Sequence, residues 1–244
     1  MKHHPPIGEV KGKKEEIEEM FDAIAPRYDL LNMVLSAGVD RTWRRKAINW
    51  LAEHEPQRIL DIATGTADLA IESMRLQPEK VIGIDIAEEM LKRGRVKISN
   101  NDLDEYITLQ KGDAEKLPFS DSQFDAAIVA FGVRNFENLG KGLANVFRVL
   151  KHNGTLIILE FSQPGKFPIK HLYNFYSKTF LPLIGRLVSK DSGAYDYLPE
   201  SIAAFPHGDD FLQIMSDAGY SDVQQKQLTF GIASLYKGRV NKKR

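Results

Sequence analysis

The chain has 244 residues, with 33 lysines and arginines against 33 aspartates and glutamates, 43% hydrophobic residues and no cysteine. Without cysteine there is no disulfide framework, thiolate metal site or cysteine nucleophile, which favours a reducing compartment; zero formal net charge argues against a chain that coats nucleic acid. No apolar run approaches the roughly 18 residues of a membrane helix, and the opening Met1 to Pro6 lacks the apolar stretch of a secretory signal.

In chain order, residues 1–12 are polar, carry two prolines and two glycines, and read as a loose arm. Residues 13–244 read as a single domain, with a helical cap at 13–56 and an insertion at 165–206. Ile17, Met20, Phe21, Ile24 and Tyr28 recur at helical spacing, with Pro26 expected to end or kink the helix. A second helix is expected from about Arg41 to Glu53. Its charged side (Arg41, Arg44, Arg45, Lys46) should face away from Trp43, Ala47, Trp50 and Leu51.

From Arg58 short apolar strands alternate with helical patterns. The strands are 58–62, 80–85, 107–113, 124–130 and 154–160; the helices run from near Asp68 to Met74, from Glu88, and from Leu139 to Leu150. Continuous apolar strands separated by helices predict a parallel sheet covered on both faces, a doubly wound α/β fold. A helix from Phe211 to Ala218 and a hairpin from Val223 to Phe230 and Ile232 to Val240 should close the sheet antiparallel. Lys237 to Arg244 reads as a basic tail.

The first strand runs into Asp61-Ile62-Ala63-Thr64-Gly65-Thr66-Ala67-Asp68. A glycine turn at a helix N-terminus lets backbone approach a ligand and offers open N–H groups to an anion. Asp85 ends the second strand, where a carboxylate would meet a ribose diol. Taken alone, Asp61 also fits a turn residue and Asp85 a helix N-cap. A dinucleotide fingerprint would need more glycines than Gly65, and Asp61 with Asp68 would repel a pyrophosphate. S-adenosylmethionine resolves the conflict: its ammonium and sulfonium welcome carboxylates, and its carboxylate can use the N–H groups around Thr66. Asp113, with Ala114, ends the third strand and offers an acceptor to the adenine amine.

These stretches, with Gly83-Ile84-Asp85, Gly112-Asp113-Ala114 and Gly154-Thr155-Leu156, resemble the successive motifs of class I S-adenosylmethionine-dependent methyltransferases. A closer resemblance lies outside them. Phe21-Asp22-Ala23-Ile24-Ala25-Pro26-Arg27-Tyr28-Asp29 through Trp43-Arg44, Phe131-Gly132-Val133-Arg134-Asn135, and Tyr197-Leu198-Pro199-Glu200-Ser201 through Pro206 are similar to signatures of the ubiquinone/menaquinone biosynthesis C-methyltransferase family. Two positions depart from the family pattern, Ala130 in place of a serine and Ala63-Thr64 in place of a small pair.

The resemblance implies C-methylation of a prenylated quinol, demethylmenaquinol foremost and the ubiquinone-pathway benzoquinol as a second acceptor. A ring carbon becomes nucleophilic when the adjacent hydroxyl ionises, so the protein must favour the phenolate, align carbon with methyl and exclude water. Arg134 suits the first role because guanidinium keeps its charge, directly or through a water. Asn135 would orient the ring oxygen or a proton-accepting water, and Tyr28 would close the site. By position alone Arg134 also fits an ion pair with Glu137, Asn135 an N-cap before Leu139, and Tyr28 a core residue. His171 and His207 lack an orienting acid and read as structural or surface residues. No residue cluster has metal-ligand spacing.

Between Lys166 and Lys190 every charge is positive, interleaved with aromatic residues at helical spacing. Such a segment suits an anionic bilayer surface, or equally a lid whose apolar face is core. Residues 58–125 carry 14 acids and 9 bases, whereas 137–190 carry 8 bases and 2 acids, so the neutral total is a cancellation between two halves. The expected setting is cytoplasmic, with peripheral contact at the inner face of the membrane, self-association as a homodimer, and no nucleic-acid partner. Competing readings are methyl transfer to another small molecule or lipid, and a non-catalytic S-adenosylmethionine-binding component of a quinone-synthesis complex.

Overall fold

The computed structural model describes residues 12–165, 171 and 193–242. Seven strands form one sheet in the order β3-β2-β1-β4-β5-β7-β6: β1 (Arg58–Ile62), β2 (Lys80–Asp85), β3 (Ile107–Lys111), β4 (Phe124–Ala130), β5 (Leu150–Phe161), β6 (Tyr220–Leu228) and β7 (Ala233–Val240). Strands β1 to β5 are mutually parallel, and β7 runs antiparallel to both β5 and β6. Strand order reverses between β1 and β4, so their C-terminal loops diverge and open a crevice there.

Eight α-helices accompany the sheet among the described residues: α1 (Lys13–Ile24), α2 (Tyr28–Ser36), α3 (Val39–Leu51), α4 (Asp68–Ser73), α5 (Glu88–Ser99), α6 (Leu139–Val149), α7 (Gly193–Ala204) and α8 (Asp209–Asp217). Alternate residues of the central strands feed opposite layers. Ile59, Ile128 and Ile157 pack with Trp43, Ile48, Leu69 and Leu91. Leu60, Ala127 and Leu156 pack with Leu143, Val146, Phe211 and Tyr236. Burial on both sides accounts for the near-continuous apolar runs of β1, β4 and β5.

Pro26 does end the first helix: a 3-10 turn at Ala25–Arg27 intervenes, and Tyr28 opens a separate helix instead of closing the first. The third helix starts earlier than expected, at Val39, after a left-handed Ala37-Gly38 pair. Arg44 does not lie on a solvated face. It is 7% exposed, paired with Asp40 at 2.6 Å and Asp68 at 3.2 Å, because acids on its own and the next helix compensate its charge.

Strand β5 begins at Leu150 with a register shift against β4, so it is longer than its apolar pattern. Lys237 to Val240 belong to β7, leaving the basic tail only after them; Lys237 is buried beside Trp50, 5.0 Å from its ring centroid. Of the expected segments, the basic aromatic stretch at 166–190, apart from the exposed His171, and the arm before Gly12 lie outside the described residues.

Candidate active site

The loop after β1 curls tightly. Ala63, Gly65 and Ala67 all have left-handed backbone, with φ of 52°, 54° and 68°. Its shape is fixed by Asp85, whose Oδ2 accepts from Gly65 N–H (2.8 Å) while Oδ1 accepts from Ala87 N–H (2.9 Å). Asp85 therefore ties two loops together and is not the N-cap of α5, a position held by Ala87. Burial pushes its carboxyl up to about 6, against the pull of these N–H groups.

Asp61, 1% exposed, accepts from the Thr64 hydroxyl at 2.6 Å through Oδ2. Its Oδ1 is buried with no hydrogen-bond partner among the described residues. Burial raises this carboxyl to about 7, the Thr64 bond opposing and the nearby Asp85 charge adding to the rise. A buried carboxylate with an unused oxygen calls for a cation.

Thr66 and Asp68 behave differently from expectation. The Thr66 hydroxyl donates to Asp29 (2.7 Å) and accepts from Lys97 (2.9 Å). Asp68 pairs with Lys97 at 2.6 Å as well as with Arg44. Its charge is thus already spent on side chains, which spacing alone did not reveal. Thr66 still lines a narrow extension of the crevice with Asp61, Gly65 and Arg44.

The main cleft encloses about 690 Å³ including its open mouth. Gly65, Asp85, Asp113 and Ala114 line one side; Ile17, Phe21 and Tyr28 from the N-terminal helices roof it. Asp113 has both oxygens engaged, Oδ1 accepting from Glu115 N–H (2.8 Å) and Oδ2 facing Lys14 at 2.7 Å. Lys14 also reaches the buried Glu115 at 3.3 Å. Neither Lys14 nor Glu115 stood out in the sequence, since a lysine at a helix start and an acid after a strand are commonplace.

Across the cleft the loop after β4 forms a 3-10 turn, Val133–Asn135. Gly132 packs directly on Ala63, so a Cβ at Gly132 would overlap the Ala63 methyl. Arg134 does not pair with Glu137. Its Nη1 lies 2.9 Å from Glu160 Oε1, with the two side chains 6% and 0% exposed, and it also donates to the Phe131 carbonyl. Nε donates to Ser201 Oγ at 3.3 Å, and the guanidinium lies 5.6 Å from the Phe161 ring centroid. The ion-pair partner is thus Glu160, a buried counter-charge delivered by β5.

Asn135 is not the helix cap either; Asn138 caps α6, accepting from Lys141 N–H at 2.9 Å. Asn135 lines the cleft and accepts from the Tyr197 hydroxyl at 2.9 Å, so its amide N–H groups are free to point at a ligand. Burial raises the Tyr28 hydroxyl above its usual range, opposed by the nearby Asn32 side chain and by the charges of Arg134 and Arg44. Tyr28 stays protonated at neutral pH and is therefore able to donate a hydrogen bond but not to serve as a base. His207 lies exposed, its Nδ1 3.3 Å from the Phe205 carbonyl, away from the cleft.

The residues fit S-adenosylmethionine. The orphaned Asp61 oxygen suits its ammonium, Asp85 a ribose diol, and Ile86, Met90 and Ala114 supply apolar walls for a purine. A doubly wound sheet with acids at the ends of β1, β2 and β3 around its switch point makes this a class I S-adenosylmethionine-dependent methyltransferase. The same fold is seen in a methyltransferase of Thermotoga maritima (TM-score 0.63, 20% identity, 91% of this chain and 98% of that one). It recurs in phosphoethanolamine N-methyltransferase 2 of Haemonchus contortus, solved with S-adenosyl-L-methionine (TM-score 0.68, 13% identity, 96% and 61%).

Within that class the chain belongs to the ubiE/COQ5 methyltransferase family, whose sequence profile matches residues 9–240. It is 52% identical over 225 residues to a demethylmenaquinone methyltransferase of Bacteroides fragilis, covering 92% of each chain. It is 46% identical to a ubiquinone/menaquinone biosynthesis C-methyltransferase of Geotalea daltonii, covering 93% of this chain and 97% of that one.

Proposed function

We propose that the protein C-methylates a prenylated quinol ring, converting demethylmenaquinol to menaquinol. The observation that carries this reading is the pair of donor-bearing residues lining the cleft, Tyr28 and Asn135, backed by the Arg134–Glu160 pair. When bound, S-adenosylmethionine supplies an electrophilic methyl group.

The chain's own residues do the following. Tyr28 and Asn135 donate to a ring hydroxyl as it ionises, lowering the cost of the phenolate whose neighbouring carbon is the nucleophile. Tyr197 holds the Asn135 carbonyl oxygen, and this fixes which end of the amide meets the ring. Arg134 stands behind them with little exposed surface, so it positions the turn and acts on the ring through Asn135 or a water. Asp61 and Asp85 hold the cofactor, while Gly65 and Thr66 shape the loop beneath it and Asp113 with Ala114 frames the purine. Ile17, Phe21 and Tyr28 exclude water from above.

An isoprenoid tail needs an apolar route, and α2 exposes Leu30 (50%), Met33 (45%) and Val34 (43%) at helical spacing. In this proposal the protein works in the cytoplasm, visits the membrane surface peripherally, and pairs as a homodimer. No described helix is long and apolar enough to cross a membrane.

The test is methyl transfer to a short-chain demethylnaphthoquinol, coupled to quinone analysis of cells lacking the protein. Loss of methylated menaquinone, together with Arg134→Ala retaining S-adenosylmethionine binding but losing turnover, is expected. A normal methylated quinone pool would sink the acceptor assignment. Vesicle flotation and sedimentation test the membrane and dimer elements.

A further inference from the structure

The site has to accommodate a cofactor of net positive charge, yet an arginine stands directly behind its wall. Arg134 donates to the carbonyl of Phe131, which lines the cleft with Gly132 and Asn135 opposite Gly65 and Asp85. Two unit charges about 10 Å apart at an effective dielectric near 20 repel enough to change an equilibrium constant by roughly tenfold or more. A bare guanidinium there would favour the neutral thioether product over the sulfonium substrate.

Glu160 is placed to cancel that charge. It is fully buried on β5, 2.9 Å from Arg134 Nη1. Its Oε1 also accepts from its neighbour's Phe161 N–H at 2.9 Å, and its Oε2 from Arg134 N–H at 3.3 Å. Three contacts fix the carboxylate, while Ser201 and the Phe131 carbonyl fix the guanidinium. Burying an ion pair is seldom justified by stability, because desolvation offsets the attraction. A role in setting the net charge of the site accounts for burying the pair.

We propose that Glu160 is a charge-compensating specificity residue: by neutralising Arg134 it lets a sulfonium bind beside a guanidinium and sets the preference for S-adenosylmethionine over S-adenosylhomocysteine. This rests on the cofactor assignment and is independent of the quinol acceptor.

The experiment is calorimetric titration of the full-length protein at pH 7.5 with S-adenosylmethionine and, separately, S-adenosylhomocysteine. In Glu160→Gln the affinity ratio should shift about tenfold towards the neutral thioether. In Arg134→Leu it should shift the opposite way, and in the Arg134→Leu/Glu160→Leu double variant it should return near the wild-type value. A purely structural role would weaken both ligands equally, and that result in Glu160→Gln overturns the proposal. Should Glu160→Gln fail to fold, an unchanged ratio in Arg134→Leu overturns it instead. Failure of the wild-type protein to methylate a short-chain quinol would count against the acceptor alone.

Discussion

At the cofactor end of the cleft, Gly65 and Asp85 meet across 20 residues, on the loops of adjacent parallel strands. On the facing side, Arg134 meets Glu160 across 26 and Asn135 meets Tyr197 across 62, from β5 and a helix beyond the segment at 166–192. The first side is a product of one repeated unit, strand then loop then helix, so its groups recur at regular spacing. The second is assembled by tertiary packing. Its electrical character depends on a strand that the Arg134-Asn135 dipeptide does not contain.

The two sides touch where Gly132 packs on Ala63, so Gly132→Ala is the strongest way to disturb both. The added methyl has no space against Ala63. The expected cost is about 1–3 kcal/mol of stability, and turnover should fall roughly a hundredfold from misplacement of the Val133–Asn135 turn, where the proposal puts the quinol contacts. Thermal unfolding and steady-state kinetics would read it. Wild-type values for both would mean the sides are not mechanically joined.

The cofactor side is separated from the other by pH. Asp61 and Asp85, raised to about 7 and about 6, bind more protons folded than unfolded between about pH 4 and 7. Their contribution to apo-protein stability is therefore present at low pH and lost as pH rises through those values. A bound cation favours the ionised form, so S-adenosylmethionine should bind more tightly at pH 7 than at pH 5.5. Asp61→Asn should weaken binding at pH 7 by about ten- to hundredfold, on the scale of a lost charged hydrogen bond, and flatten the pH dependence. Calorimetry at the two pH values decides; an unchanged pH profile in the variant would place the titration elsewhere.

The smallest effect belongs to Lys14, which ties α1 to Asp113 and Glu115 over the cofactor side. Being about a third exposed, it should contribute under about 1 kcal/mol. Lys14→Ala is expected to speed cofactor release a few-fold in stopped-flow measurements while turnover chemistry is unchanged.

This division also explains what could be read from the chain. Strand runs, the closing hairpin, and the acids at 61, 85 and 113 follow from hydrophobic periodicity and loop spacing, both local properties. Arg44 was misplaced because a helical pattern reports which residues are charged but not whether Asp40 and Asp68 will bury them. By position alone Arg134 also fits its sequence neighbour Glu137, because nothing in a linear pattern indicates that Glu160, at the end of an apolar strand, faces it. Tyr197 and Ser201 were visible as members of a motif, but their partners were not.

The insertion of β7 between β5 and β6 bears on how the protein is made. Glu160 pairs in register with Ser234 and Phe161 with Ala233, so during synthesis β5 carries an open ladder until β7 has been made. An apolar edge of that kind invites pairing with other chains. Chains arrested before residue 233 should therefore partition into aggregates, measurable as insoluble product in a translation-arrest series.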